Sequence, residues 1–179
     1  MKTKGVLHHT ADTTQSPQYD KVWEYHNSGA GGKWPEGFGI QYTYFIERDG
    51  MIIQGREEHE TTWHAGNWLL NKQSIGICLA GDFTREDPTM AQLKSLKDLL
   101  IDIQRRRGIP NDNIYPHREV RATRCPGTDF LRLIEEKLPN KTLKQKIVQL
   151  QKGADRSKEH NPSRYRRIMR KLKRLLRLQ

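Results

Sequence analysis

Ser74-Ile75-Gly76-Ile77-Cys78-Leu79-Ala80 is the stretch on which the fold turns. It is an apolar run without the polar–apolar alternation of a half-solvated strand, so it reads as a strand buried on both faces. Such a strand needs neighbours beside it and helices above and below. Downstream, residues 89–107 predict the clearest helix: Thr89 as its cap, Leu93, Leu96, Leu100 and Ile103 as its apolar stripe, and Arg105 to Arg107 before Gly108 at its negative end. Ile114 to His117 reads as a short strand leading into a loop, and Asp129 to Leu138 as a helix closed by Pro139. Upstream, Val6 to Thr10 reads as a strand. Ser16-Pro17 reads as the start of a helix carrying Tyr19, Val22, Trp23 and His26. Ser28 to Gly39, rich in glycine, is a loop. Tyr42 to Glu47 and Met51 to Gln54 flank Asp49-Gly50, a hairpin signal. The expectation is an α/β fold, one mixed sheet with helices on its faces.

The chain has 179 residues, room for one domain and an appendage. Its net charge of +11 is unevenly placed. Residues 140–179 hold 14 Lys+Arg against 2 Asp+Glu, leaving 18 against 19 in residues 1–139. The sequence therefore divides into a neutral body, 1–139, and a cationic tail, 140–179. Within the tail, Lys141 to Lys152 is a candidate helix, Gly153 to Pro162 is linker-like, and Ser163 to Gln179 is patterned. Tyr165, Ile168, Met169, Leu172, Leu175 and Leu176 share one helical face, with Arg and Lys on the other. A basic amphipathic helix of this kind suits an anionic membrane, lipopolysaccharide or teichoic-acid polymer; packing on the body is the alternative. Nucleic acid would attract it only through charge, since Tyr165 is its lone aromatic residue, and no specific nucleic-acid partner is expected. No apolar run reaches the roughly 18 residues of a membrane span. The N-terminus shows no leader, which points to synthesis in the cytoplasm. Cys78 and Cys125 then favour a buried thiol, metal or reactive role over a disulfide.

His8, His117 and Cys125 are residue types from which a hydrolytic zinc site is made. Catalytic zinc takes three protein ligands and keeps a fourth position for water, and imidazole and thiolate suit its borderline softness. Spacing adds little, because the three are scattered along the chain, and a structural role for the strand histidine stays open. His9 should point to the opposite side of its strand from His8. Trp34 and Trp68, in loop-like segments, are candidates for stacking on sugar or peptide.

The words around these residues say more. Leu7-His8-His9-Thr10-Ala11, Trp63-His64-Ala65-Gly66, Ser74-Ile75-Gly76-Ile77, His117-Arg118-Glu119-Val120, Thr123 and Cys125-Pro126-Gly127 follow in order. Together they resemble the family of phage lysozyme-type N-acetylmuramoyl-L-alanine amidases and peptidoglycan recognition proteins, over about residues 4–138. The resemblance implies zinc as cofactor, held by His8, His117 and Cys125. It places the tyrosine near the attacking water at Tyr42 and a substrate-groove histidine at His64. Two residues before the cysteine, phage-type enzymes carry Lys and catalytic recognition proteins Thr; this chain has Thr123 and follows the second pattern. Members that bind without cutting typically lack the cysteine. The function implied is hydrolysis of the amide between the muramic acid lactyl group and L-alanine; with no leader read at the N-terminus, the expectation is a monomeric phage-type endolysin that meets the cell wall after holin-type release. A peptidoglycan-binding module without cleavage, or a regulator acting through the basic tail, are the alternatives.

Overall fold

The computed structural model describes residues 2–15, 17–29, 36–138, 151, 152, 154, 155, 158 and 162–176. The chain forms two compact units, Met1–Leu138 and Pro139–Gln179. In the first, strands β1 (Lys4–His9), β2 (Tyr44–Ile46), β3 (Ile52–Gln54), β4 (Ser74–Leu79) and β5 (Ile114–Pro116) form one sheet in the order β3-β2-β4-β1-β5. β2–β4, β4–β1 and β1–β5 pair in parallel, and β3 pairs antiparallel with β2 through the Asp49-Gly50 turn. The sheet is mixed and flanked by helices, as the apolar run at β4 required.

All of β4 is buried, and its two faces differ. Ile75, Ile77 and Leu79 point into the larger core, with Leu7 of β1 and with Leu93, Leu96, Leu100 and Ile103 of α3 (Met90–Arg107). Phe130, Leu133 and Ile134 of α5 (Phe130–Lys137) complete that core. Across the sheet, Cys78 packs with Phe45, Ile40 and Ala80 under Tyr19 and Val22 of α1 (Tyr19–Asn27). Parallel register sets Phe45, Cys78 and His8 side by side on this second face, so β4 offers it Ser74, Gly76 and Cys78.

Local signals account for most of the helix ends. Thr89 and Gln92 form a reciprocal capping box on α3, Gly108 ends it at φ 67°, and Asp129 caps α5. Three features differ from the sequence expectation. Helix α1 starts at Tyr19, and its cap is the Glu47 carboxylate, which accepts the N–H groups of Gln18 at 2.8 Å and Tyr19 at 2.7 Å. A charge from beyond the far strand end is invisible to a local capping rule. Trp68–Gln73 is a helix, α2, with Asn67 as its N-cap, and β5 runs into the one-turn helix α4 (His117–Val120) instead of a loop.

In the second unit, Pro162–Leu176 is a helix, α6. Tyr165, Ile168 and Met169 pack with Ala154 and Leu172, while Arg166, Arg167, Arg170 and Lys173 are exposed. Residues 141–150, expected as a further helix, lie outside the described residues.

One buried carboxylate ties the end of α3 to the strands. Glu58, 6 % exposed, accepts from the Tyr44 hydroxyl (2.5 Å), Arg106 (2.7 Å) and Arg107 (2.5 Å). Burial pushes its pKa up, but the bonds from Arg106, Tyr44 and Arg107 outweigh it and hold the group at about 2 against an ordinary 4.5. A depressed carboxylate stabilises the fold above its unfolded pKa and loses that contribution as protons return. The difference corresponds to ~3 kcal/mol, and exposure of the arginines screens it to about 2 kcal/mol. Glu58→Gln should therefore be about 2 kcal/mol less stable than the parent at pH 7. The gap should close between pH 4.5 and pH 2, as read by urea unfolding across pH. A constant gap through that window would assign the loss to packing.

Candidate metal centre and groove

His8 stands next to last in β1, His117 opens α4 immediately after β5, and Cys125 sits in the turn beyond α4. The three meet because β5 neighbours β1, at the carboxyl edge of parallel strands where α/β sheets open their crevices. The Cys125 turn is held by Arg118 N–H on the Cys125 carbonyl (2.8 Å) and by Cys125 N–H on Thr123 Oγ1 (3.2 Å). His9 N–H points at the sulfur from 3.4 Å.

One donor atom from each of the three residues lies within 4.8 Å of the others, and His8 Nδ1 is 3.9 Å from Cys125 Sγ. Tetrahedral zinc with imidazole and thiolate ligands needs about 3.5 Å between donors, so small side-chain adjustments suffice. The decisive atom is His117 Nε2, which is buried and has no hydrogen-bond partner. An orphaned buried nitrogen costs free energy unless something else satisfies it. Burial, then the neighbouring His64 and His117, hold His8 well below its ordinary pKa, and burial likewise lowers His117. Both rings are neutral at pH 7, the form that ligates. Burial pushes the Cys125 thiol up to about 12, so its thiolate needs a cation beside it. The donor set fits a divalent ion of borderline softness.

These residues line a groove of about 1040 Å³ together with Tyr42, His64, Thr123 and Trp68. Trp34 lies outside the described residues. The Tyr42 ring is 5.2 Å from His8 and 5.3 Å from His26. Burial, then Cys78 and Cys125, raise its pKa well above the ordinary value, leaving a neutral hydroxyl donor. Thr123 is exposed, and because its oxygen accepts from Cys125 its O–H remains to donate. His64 is 7 % exposed, and both ring nitrogens face protein: His8 Nε2 at 2.9 Å and Ser74 Oγ at 3.1 Å. It borders the groove but keeps no nitrogen for a substrate.

Sequence reasoning missed several groove residues. Trp63 packs on Trp68 with ring centroids 5.0 Å apart, and Lys72 Nζ lies 4.8 Å over the Trp68 ring. The repeat of Trp five positions on, across Gly66, was the available signal. Arg85, Arg121 and Arg124 also line the groove. Arg121 fills the place a Gly66 side chain would take, and Gly66 has φ 65°. In a chain with 32 Lys+Arg these arginines carry no signal of their own.

Three donors around one point at the edge of a mixed sheet define an α/β protein with a group that could hold a single metal ion. Residues 3–128 match the model of the N-acetylmuramoyl-L-alanine amidase family, and the chain belongs to that family. It is 36% identical over 133 residues to peptidoglycan-recognition protein SC2 of Drosophila melanogaster, covering 70% of this chain and 68% of the relative. Among solved structures it is similar to the N-acetylmuramoyl-L-alanine amidase LysC from Clostridium intestinale URNW. That likeness has a TM-score of 0.63 and 33% identity, over 76% of this chain and 85% of LysC. It is also similar to a tyrosine-to-phenylalanine mutant of Drosophila PGRP-LB in complex with tracheal cytotoxin, with a TM-score of 0.62 and 27% identity, over 74% and 80% of the two chains.

Proposed function

We propose that this chain is a zinc-dependent N-acetylmuramoyl-L-alanine amidase that cleaves the amide between the muramic acid lactyl group and L-alanine of peptidoglycan, acting as a phage-type endolysin. The observation that carries the reading is the convergence of His8, His117 and Cys125, with His117 Nε2 buried and unpartnered, in a groove large enough for a muropeptide. Likeness to LysC supports cleavage, and the tracheal cytotoxin bound by PGRP-LB supports a muropeptide ligand.

Zinc held by those three residues would supply Lewis-acid polarisation of the carbonyl and would lower the pKa of a water toward neutrality. The chain's own groups do the rest. Tyr42 and Thr123 donate hydrogen bonds to the carbonyl oxygen as it gains negative charge, an interaction stronger in the transition state than in the ground state. Trp63 and Trp68 offer flat apolar surface to a sugar or peptide. Arg85, Arg121 and Arg124 suit the carboxylates of a stem peptide.

The tail we read as an envelope-targeting element. The exposed Arg166, Arg167, Arg170 and Lys173 of α6 match an anionic membrane or lipopolysaccharide surface, at about 1 kcal/mol per charge near such a surface. The protein acts as a monomer at the cell wall, after holin-type release from the cytoplasm.

The test is incubation of the purified chain with isolated peptidoglycan, following new N-terminal alanine. We expect release that stops with chelator and returns with zinc. Retention on sacculi with no alanine released, zinc present, replaces the enzyme by a binding module. A chain ending at residue 139 should keep this activity and lose killing of intact cells; equal killing by both forms removes the targeting role.

A further inference from the structure

Ser74 and Gly76 alternate on the site-facing side of β4, and His64 lies across them. A Cβ on Gly76 would stand 2.7 Å from His64 Cγ and 2.8 Å from Cδ2, closer than side chains tolerate, so the glycine makes room for the ring. Nε2 of that ring is 3.1 Å from Ser74 Oγ, and Nδ1 is 2.9 Å from His8 Nε2.

The hydrogen-bond directions along this line are forced. Ser74 Oγ is 2.6 Å from the Leu70 carbonyl, which only accepts, so the single hydroxyl hydrogen goes there. The Ser74 oxygen is left to accept, and His64 Nε2 must donate to it. A buried neutral imidazole has one N–H, so His64 Nδ1 is bare and His8 Nε2 donates to it. The remaining lone pair of His8 is then on Nδ1, the atom that faces Cys125 Sγ. Leu70 belongs to α2, so this short helix orients His8 through Ser74 and His64.

We propose that Leu70 carbonyl–Ser74–His64–His8 is a positioning relay that locks His8 as its Nε2–H tautomer and presents Nδ1 to the metal, with Ser74 and His64 acting through His8 and not on substrate. The proposal rests on the metal-centre reading above. Partners in this outer position are worth about 10- to 100-fold in metal affinity.

Two measurements test it, neither depending on turnover. Long-range ¹H–¹⁵N correlation spectra of the zinc-free chain should show His8 and His64 protonated at Nε2. A proton on His64 Nδ1 overturns the relay, and this needs no variant to fold. Zinc affinity, by competition with a chromophoric chelator, should fall about 10- to 100-fold in Ser74→Ala and His64→Leu. It should stay within about threefold of the parent in His64→Gln, whose amide can accept from His8 and donate to Ser74. Parental affinity in a folded His64→Leu overturns the relay. Zinc binding with these tautomers but no amidase activity removes the functional reading alone; amidase activity with other tautomers removes the relay alone.

Discussion

Cys125→Ser is expected to lower kcat/KM on isolated peptidoglycan by about 10³-fold or more, some 4 kcal/mol of transition-state stabilisation, and to remove bound zinc. The serine oxygen is a harder, far less acidic donor than sulfur, and the site loses the one ligand that brings negative charge. Tyr42→Phe makes the contrast. It should keep zinc in full and lower kcat by about 10²-fold, the scale on which one oxyanion donor counts. Metal content and kinetics on the same preparations check both. Undiminished turnover in Cys125→Ser would end the proposed mechanism. Zinc loss in Tyr42→Phe would make the tyrosine a structural support of His8, whose ring lies 5.2 Å away.

Gly127→Ala is expected to cost about 2–4 kcal/mol of stability and to weaken zinc binding with it. Gly127 has φ 83°, and a Cβ there would stand 2.4 Å from the Phe83 carbonyl carbon and 2.5 Å from Thr84 N. That obstruction is backbone, which cannot rotate aside. Phe83 is itself fixed by its N–H on His9 Nδ1 at 3.1 Å, so the strain passes to the turn that carries Cys125. Gly108→Ala is the control. Its φ is 67° with nothing within 4 Å of a new Cβ, so only the left-handed backbone term of about 1 kcal/mol applies. Urea unfolding and zinc titration of the two variants should separate them. Equal losses would show that the contact with Phe83 yields more easily than its geometry implies.

Much of the fold was legible because its signals are local. The unalternating run at β4 called for cover on both faces. The Thr89–Gln92 box and Gly108 bounded α3, and Asp49-Gly50 set the β2–β3 hairpin. The cap of α1 was not legible, since Glu47 reaches it from twenty-eight residues along. Helix α2 was missed because its six residues are too short for a periodic stripe. The candidate ligands were legible only as words in order. Trp63, Ser74 and Gly76 stood in those words without a role, and Arg121 in none of them, because their significance lies in what packs against them.

By itself, then, the sequence determined the α/β class, the neutral body with its cationic tail, and the family, since each is written in period, composition or ordered motif. The tertiary structure alone decided that His8, His117 and Cys125 meet, that His8 turns Nδ1 toward Cys125, and that His64 lies between His8 and Ser74 at the groove. Those are distances between residues up to 117 positions apart, set by strand register and by the absence of a side chain at Gly76.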